Sequence, residues 1–112
     1  MDETRTRPRH FSITSRRTGE GIRLSVHGEI DLGTAGQLNR AITDALHSDA
    51  GTVLVDLSAT TFCDCTGVAA LLTGRDAALA EHVGYQVVNP NGISLKVIRL
   101  VGLEQLLTTP TR

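Results

Sequence analysis

Aromatic residues are scarce in this sequence: they make up only 3% of its 112 residues, and tryptophan is absent. The hydrophobic core must therefore be built from leucine, valine, isoleucine and alanine. An excess of charge of either sign is also lacking, since the formal net charge is -1. A nearly neutral chain gives no electrostatic argument for a nucleic-acid partner.

Long hydrophobic runs are absent as well, because no apolar segment approaches the roughly 20 residues of a membrane-spanning helix. The arginines near the N-terminus, Arg5, Arg7 and Arg9, are not followed by the apolar segment of an export signal. We therefore expect a cytoplasmic protein with no direct membrane insertion. Residues 1–9 are polar and contain Pro8, which predicts a disordered tail.

The only cysteines are Cys63 and Cys65. They are too few and too close together for the disulfide framework of a small secreted domain. Zinc knuckles and catalytic redox pairs have two residues between their cysteines, and here only one separates them. The glycine-rich motifs of phosphate-binding loops are also missing. Neither a metal nor a cofactor is predicted.

The pattern of apolar residues predicts one domain of alternating strands and helices. A hairpin is expected first, because two alternating runs, at residues 11–13 and 22–27, flank the turn residues 18–21. Helix, strand, helix, strand and helix follow along the chain. Strands that alternate with helices are typical of an α/β fold with a mainly parallel sheet.

The helices have recognisable starts and apolar stripes. The first helix is expected to begin at Thr34 with a capping box, in which Gln37 lies three residues further on. The strand that follows it, residues 53–57, lacks clean alternation and is expected to be buried on both faces. The last helix follows a turn at residues 89–92. The stripes of the first and second helices predict burial of Leu38, Ala41, Ile42, Ala45, Leu46, Val68, Leu71, Leu72 and Leu79.

The junction between strand 53–57 and the second helix is the most informative stretch. Residues 58–62 are expected to form a polar loop, and the helix begins near Asp64, Cys65 and Thr66. Backbone N–H groups without partners and the positive end of the helix dipole meet at such a start. It therefore suits a negative charge, whether a thiolate, a phosphate or a partner's carboxylate.

Catalytic roles for this junction are poorly supported. A thiol at a helix start is a candidate nucleophile, but Cys65 would need a base. Asp31 and Asp64 are candidate paired acids, but each is equally well explained as a helix-start residue. We therefore predict a partly buried cysteine and no enzyme, and favour a docking surface for a protein partner. None of the four histidines is an obvious base for Cys65: His10 falls on the tail, His27 on a solvent-facing strand face, and His47 and His82 at helix ends.

Three segments together resemble a known family. They are Gly-Glu-Ile-Asp at residues 28–31, Val-Leu-Val-Asp-Leu-Ser at residues 53–58, and Phe-Cys-Asp-Cys-Thr-Gly-Val at residues 62–68. The sequence resembles the STAS domain and, more narrowly, the single-domain anti-sigma factor antagonists of bacteria. We assign residues 10–108 to this domain. The resemblance implies a STAS-like α/β fold: a four- to five-stranded mixed sheet with an N-terminal hairpin and three to four helices mainly on one side.

The resemblance also implies a function by partner switching. The unphosphorylated antagonist binds an anti-sigma factor that is also a serine kinase, and so frees a sigma factor for transcription. Asp64 would cap the helix and present its charge to the partner, and Gly67 would permit close approach of a partner backbone. A homodimer is compatible with this scheme. The residues expected to bind the partner are Asp31, Asp64, Cys65, Thr66 and Gly67.

The sequence departs from the family at Cys65, because regulated antagonists carry the phosphorylated Ser or Thr there. A thiol is not a substrate for an ordinary serine kinase, and Thr66, the alternative acceptor, points about 100° away around the helix. Three hypotheses follow: a constitutive antagonist, which we favour, one switched at Thr66, and a redox sensor that uses Cys65. The alternative binding module is a STAS component of a lipid-transport complex or a stressosome-like scaffold. A thiol enzyme or redox sensor is the alternative of a different class.

Overall fold

The computed structural model describes residues 11–100. Within this range the chain forms five strands and three helices, and the mixed α/β fold is confirmed. The tail expected at residues 1–9 lies outside the described residues. In chain order the elements are β1 (Ser12–Arg17), β2 (Ile22–Ile30), α1 (Ala35–Leu46), β3 (Thr52–Asp56), β4 (Thr60–Cys63), α2 (Cys65–Glu81), β5 (Gly84–Val88) and α3 (Gly92–Leu100).

Strand β2 is the longest strand and organises the sheet. Its antiparallel partner is β1, which completes the predicted hairpin. On its other side, residues 22–25 pair in parallel with β3, and residues 28–30 pair in parallel with β4. Strand β5 lies beyond β3, also in parallel, so the order is β1-β2-β3-β5 with β4 beside the second half of β2. The mixed sheet and its N-terminal hairpin are as the family resemblance implies.

Strand β4 corrects the expectation of a loop at residues 58–62. It is four residues long, and Phe62 and Cys63 are its only apolar residues, which is too short a pattern to predict a strand. A long-range contact holds it in place, because the buried Thr60 hydroxyl donates to the carbonyl oxygen of Val26 at 2.9 Å. Local periodicity cannot show such a partner on a distant strand.

The core lies between one face of the sheet and helices α1 and α2. Alternate residues of β2 are buried, as a strand with one covered face requires. The predicted core residues Leu38, Ile42 and Leu71 are at most 1% exposed, but Leu79 is 43% exposed, against expectation. The buried face of α2 instead passes through the small residues Gly67, Ala70, Gly74 and Ala78. Because small side chains weaken the apolar stripe from which a buried helix face is predicted, the sequence pattern favoured Leu79.

The opposite face of the sheet carries a row of side chains in register. Arg16 of β1 is opposite Arg23 of β2, which is opposite Leu54 of β3, and Gln86 of β5 completes the row. Leu54 is only partly buried there, which corrects the expectation that its strand is buried on both faces. The core-facing residues Val53 and Val55 hide this alternation in the sequence, because all three side chains are apolar.

Asp56 fixes the point at which β3 ends. Its carboxylate accepts hydrogen bonds from the Arg23 guanidinium at 2.9 Å, from the Ser58 backbone N–H at 2.9 Å and from the Asn89 side chain at 3.2 Å. Burial opposes the charge of this carboxylate. The hydrogen bonds from Ser58, Asn89 and Arg23 outweigh that effect and hold the pKa of Asp56 below its usual value.

Candidate functional site

The candidate site lies where β2 and β4 end side by side. Ile30 and Cys63, the last residues of these parallel strands, are register partners. Asp31 and Asp64 follow them directly, and the backbone N–H of Asp64 donates to the carbonyl oxygen of Ile30 at 3.2 Å. The structure therefore brings together the two segments that the sequence analysis assigned to partner binding.

Asp64 is the N-cap residue of α2, as predicted. Its backbone is extended, and its Oδ1 atom accepts a hydrogen bond from the Gly67 N–H at 3.0 Å. This bond satisfies one of the N–H groups that a helix start leaves without an intrahelical partner. The negative charge also lies at the positive end of the helix dipole. Asp64 thereby fixes the direction in which α2 leaves the sheet.

Cys65 is the first residue of α2 and is exposed, which corrects the expectation of a partly buried cysteine. The neighbouring Thr66 is partly buried. Successive residues of a helix point about 100° apart, so the Thr66 side chain is turned away from the direction in which Cys65 points. Of the two side chains considered for phosphate, the thiol is therefore the more accessible.

Gly67 is buried, and the close contact that it permits is inside the protein. A Cβ atom at this position would lie 2.7 Å from Cys63 Sγ, 2.8 Å from Ile30 Cγ2 and 3.0 Å from the Ile30 carbonyl oxygen. Contacts this short are not tolerated in a packed interior, so only glycine lets α2 begin this close to β2. The expected reason for this glycine, the approach of a partner backbone, is corrected accordingly.

Thr34 holds the turn between β2 and α1 closed. Its hydroxyl donates to the carbonyl oxygen of Glu29 at 2.7 Å and accepts from the Asp31 N–H at 2.9 Å. Asp31 Oδ1 in turn accepts from the Gly33 N–H at 2.9 Å. The predicted capping box is therefore wrong: Thr34 precedes α1, but its hydroxyl makes no capping hydrogen bond because the turn already uses it.

Leu32 lies in this turn and was not found by the sequence analysis. Its side chain is 82% exposed, compared with 43% for Leu79 and 37% for Phe62, the other exposed large apolar residues among the side chains that the structure describes. Its position is the sequence feature that could have drawn attention to Leu32, because a single apolar residue between Asp31 and a glycine belongs to neither a strand pattern nor a helix stripe. Single exposed apolar side chains are common on protein surfaces, so exposure alone assigns Leu32 no role.

The two thiols differ sharply in their surroundings. Cys63 is buried, and burial, followed by the charges of Asp64 and Cys65, raises the pKa of the Cys63 thiol to about 12. The Cys63 thiol therefore stays protonated at neutral pH, and the reactive form is the thiolate. Cys65 is a free and exposed thiol, so it is the accessible cysteine of the described chain.

Two histidines lie at the far end of α2 from Cys65. His82 is the C-cap residue of this helix of 17 residues, a length that spans about 25 Å. His47 ends α1 and lies 3.8 Å from Glu81, at the same far end. His27 lies on β2, in register with Ser12 of the hairpin, and His10 is outside the described residues. The helix-end histidines therefore cannot act as a base for Cys65.

Two other kinds of feature are absent from the described part of the chain. Residues 11–100 contain no group of three or more His, Cys, Asp or Glu side chains arranged to hold a metal ion. None of the helices in that range is long and apolar enough to cross a membrane. What the site presents is a capped helix start, an exposed thiol and a turn with an exposed leucine.

Comparison with known families identifies the fold family. The family model described as Mlab, STAS domain, matches residues 13–108 of this chain. The chain belongs to the STAS domain family.

Named relatives of this STAS domain include anti-sigma factor antagonists. It is 32% identical to the anti-sigma-F factor antagonist RsfB of Mycobacterium tuberculosis over 82 residues, which are 73% of this chain and 66% of RsfB. A crystal structure of an anti-sigma factor antagonist from Mycobacterium paratuberculosis matches with a TM-score of 0.80 and 27% identity, over 93% of this chain and 89% of that one. The anti-sigma factor antagonist SpoIIAA in its unphosphorylated form matches with a TM-score of 0.74 over 90% of each chain. Its identity of 19% shows a shared fold alone.

The residues predicted for partner binding fall into two groups in this STAS domain. Cys65 is exposed, and Asp31, Asp64 and Thr66 are partly buried beside it at the ends of β2 and β4. Gly67 is buried and sets the distance between α2 and the sheet. The first group supplies a surface, whereas the glycine holds that surface in position.

Proposed function

We propose that this STAS domain is a non-enzymatic anti-sigma factor antagonist. It binds an anti-sigma factor of the serine-kinase type and thereby releases a sigma factor for transcription. One observation carries the proposal: the Asp31 turn and the start of α2 lie side by side and are joined by the hydrogen bond from Asp64 to Ile30. The names of its relatives support the class of partner.

Within this surface the residues have different roles. Asp64 presents a negative charge and Cys65 an accessible side chain at the first turn of α2. Asp31 adds a second carboxylate from the neighbouring turn. Thr66 contributes the exposed part of its side chain, and Gly67 contributes by placing the helix start. A partner that covers this end of the sheet contacts both segments at once.

Cys65 makes this antagonist insensitive to its kinase. Serine kinases transfer phosphate to a hydroxyl, and the most accessible side chain at the start of α2 is a thiol. The nearest hydroxyl, that of Thr66, is partly buried and points about 100° away around the helix. We therefore expect the protein to remain in its binding-competent form when ATP is present.

Binding is tested by titrating the full-length protein against a purified serine-kinase anti-sigma factor from the same cell. We expect saturable binding that Asp64→Asn weakens, because asparagine keeps an N-capping oxygen but removes the charge. Asp76→Asn, which removes an exposed charge further along the same helix, is the matched control and should bind normally. Absence of binding by the unaltered protein would refute the proposal.

Resistance to phosphorylation is tested with the same kinase and ATP, using mass spectrometry as the readout. The unaltered protein should gain no phosphate, whereas Cys65→Ser should gain one. Cys65→Ser combined with Thr66→Ala should gain phosphate as well, which assigns the acceptor to position 65. Phosphate on Thr66 of the unaltered protein would overturn the constitutive scheme.

One observation favours a different assembly as a second candidate. The matching family model is described as Mlab rather than as an antagonist. A STAS component of a transport complex, or of a stressosome-like scaffold, is therefore the alternative binding module. Affinity capture of the tagged protein separates the two, because recovery of membrane ATPase subunits without an anti-sigma factor supports the alternative.

The exposure of Cys65 favours a thiol redox sensor as the alternative of another class. Cys65→Ser discriminates, because a sensor loses its response to peroxide in this variant whereas an antagonist still binds its partner. Equal partner binding by oxidised and reduced protein would argue against the sensor.

A further inference from the structure

Strands β1 and β2 carry a groove on the face of the sheet that is turned away from α1 and α2. This hairpin groove is lined by five polar side chains: Thr14 and Arg16 of β1, and Arg23, Ser25 and His27 of β2. Its volume of about 320 Å³ falls at the lower end of the range typical of small-ligand sites. None of the residues predicted to bind a partner lines it, so the groove is a separate feature of the fold.

The register of the hairpin brings the lining side chains together. Arg16 lies directly opposite Arg23, and Thr14 lies directly opposite Ser25. His27 follows Ser25 two residues further along β2 and therefore points to the same face of the sheet. Like charges directly opposite each other on neighbouring strands are destabilising. An anion bound between the two guanidinium groups would relieve this repulsion.

Carboxylates could cancel the positive charge of the groove, and three occur next to it. Asp56 of β3 accepts two hydrogen bonds from the Arg23 guanidinium, so Arg23 is already paired. Glu29 lies further along β2 and has a partner, and Glu20 lies in the hairpin turn. None of the three carboxylates lines the groove. The Arg16 side chain makes no hydrogen bond or ion pair within residues 11–100, which leaves it available to an anion.

His27 provides a second, independent observation. It lines the groove, and its Nδ1 atom is buried without a hydrogen-bond partner in the described part of the chain. Among the described side chains, only Nε of Arg75 on α2 is in the same condition. Buried polar atoms are usually paired, and an exception calls for an explanation. A ligand oxygen that contacts the His27 ring would give this nitrogen a partner.

We propose that the hairpin groove binds a small phosphate-bearing anion, with Arg16 as its principal cationic contact. Phosphate is favoured over carboxylate because the guanidinium, hydroxyl and imidazole groups offer more donors than two carboxylate oxygens can use. The bound group is either free inorganic phosphate or the phosphate of a small soluble ester. This site goes beyond the proposed antagonist function and does not depend on it, since it uses other residues on another part of the sheet.

Binding is tested by following the backbone amide NMR signals of the full-length protein as inorganic phosphate is added at constant ionic strength. Signals of residues 14–16 and 23–27 should shift saturably, with a dissociation constant on the order of 1 mM. Glycerol 3-phosphate is the second titrant and distinguishes the two sources of phosphate: tighter binding than inorganic phosphate identifies an ester, and weaker binding identifies the free ion. Succinate, a dicarboxylate, should bind more weakly than either.

The role of Arg16 is tested by substitution. Arg16→Gln should weaken phosphate binding roughly tenfold, because charge-assisted hydrogen bonds to the anion are lost. Arg16 is exposed, so this variant should keep the thermal stability of the unaltered protein. Arg40→Gln is the matched control, because it removes the same charge from an exposed position on α1, which packs on the other face of the sheet. It should bind phosphate as tightly as the unaltered protein.

The outcomes decide the inference without reference to the anti-sigma factor. Saturable shifts confined to the hairpin groove, and weakened by Arg16→Gln but not by Arg40→Gln, support the site. If residues 14–16 and 23–27 show no saturable shifts, or if both variants weaken binding equally, the site is refuted. Succinate binding as tight as phosphate binding would refute the choice of phosphate. The antagonist function is measured by partner binding and stands or falls separately.

Discussion

Asp56 is the residue whose charge contributes most clearly to the fold. It is 7% exposed, and its carboxylate accepts hydrogen bonds from Arg23, Ser58 and Asn89. Burial acts against ionisation and these hydrogen bonds outweigh it, so the pKa of Asp56 is lower in the folded protein than in the unfolded chain. A lowered carboxyl pKa stabilises the folded protein above the unfolded pKa, and the stabilisation is lost as the pH falls through the folded value.

We therefore predict that Asp56→Asn removes part of the acid sensitivity of the fold. At pH 7 the variant should be less stable by about 1–3 kcal/mol, because a charge-assisted set of hydrogen bonds is replaced by a weaker one. Between pH 7 and about pH 3 its free energy of unfolding should fall less than that of the unaltered protein. Urea unfolding at both pH values measures the two free energies of unfolding. An equal fall in the unaltered protein and in the variant would contradict the prediction.

Gly67 yields a second prediction at the scale of the residue. Gly67→Ala should lower the free energy of unfolding by about 1–3 kcal/mol, because the added Cβ would lie 2.7 Å from Cys63 Sγ and 2.8 Å from Ile30 Cγ2. Gly36→Ala is the matched control: it also lies in the first turn of a helix, but nothing lies within 4 Å of its added Cβ. It should be neutral or stabilising by about 0.4–1 kcal/mol. If Gly67→Ala and Gly36→Ala changed the free energy of unfolding equally, close packing would not explain why residue 67 is glycine.

At the scale of the element, the start of α2 depends on its N-cap. Asp64→Ala should destabilise the protein by about 1 kcal/mol, because the Gly67 N–H loses its acceptor. Asp64→Asn should retain most of the stability, since asparagine is an equally good N-cap residue. Thermal unfolding compares the two variants. If asparagine were as harmful as alanine, the carboxylate charge rather than the cap would be the stabilising feature.

The elements that could be predicted from sequence are those with long local patterns. Strand β2 and helix α1 have apolar residues at regular intervals, and both were placed correctly. Strand β4 could not be predicted, because its position depends on the Thr60 hydroxyl and on pairing with β2. The capping box failed for the same kind of reason, since the Thr34 hydroxyl bonds to Glu29 and Asp31 rather than to its own helix.

At the scale of the whole molecule, the parallel pairing of β2 and β4 brings the two segments of the candidate site together. Asp31 and Asp64 are far apart in the sequence and were considered there both as paired acids and as partner-binding residues. The register places them at the same end of the sheet. Leu32 could not be selected in that way, because the exposure of a turn residue depends on what packs around it. The exposed position of Cys65 was likewise misjudged from local pattern.

The constitutive antagonist scheme makes a prediction for the complete partner switch. With an exposed thiol at position 65 and a partly buried hydroxyl at Thr66, ATP should leave the protein active. The Cys65→Ser variant should release sigma factor before exposure to ATP and lose that ability afterwards. Loss of sigma-factor release by this variant would show that the assay detects phosphorylation when an acceptor hydroxyl is present.

The most direct measurement is therefore release of a labelled sigma factor from its complex with the anti-sigma factor, before and after incubation with ATP. We predict that the unaltered protein releases the sigma factor to the same extent in both cases. Failure to release it at all, or release that disappears after incubation with ATP, would contradict a constitutive antagonist.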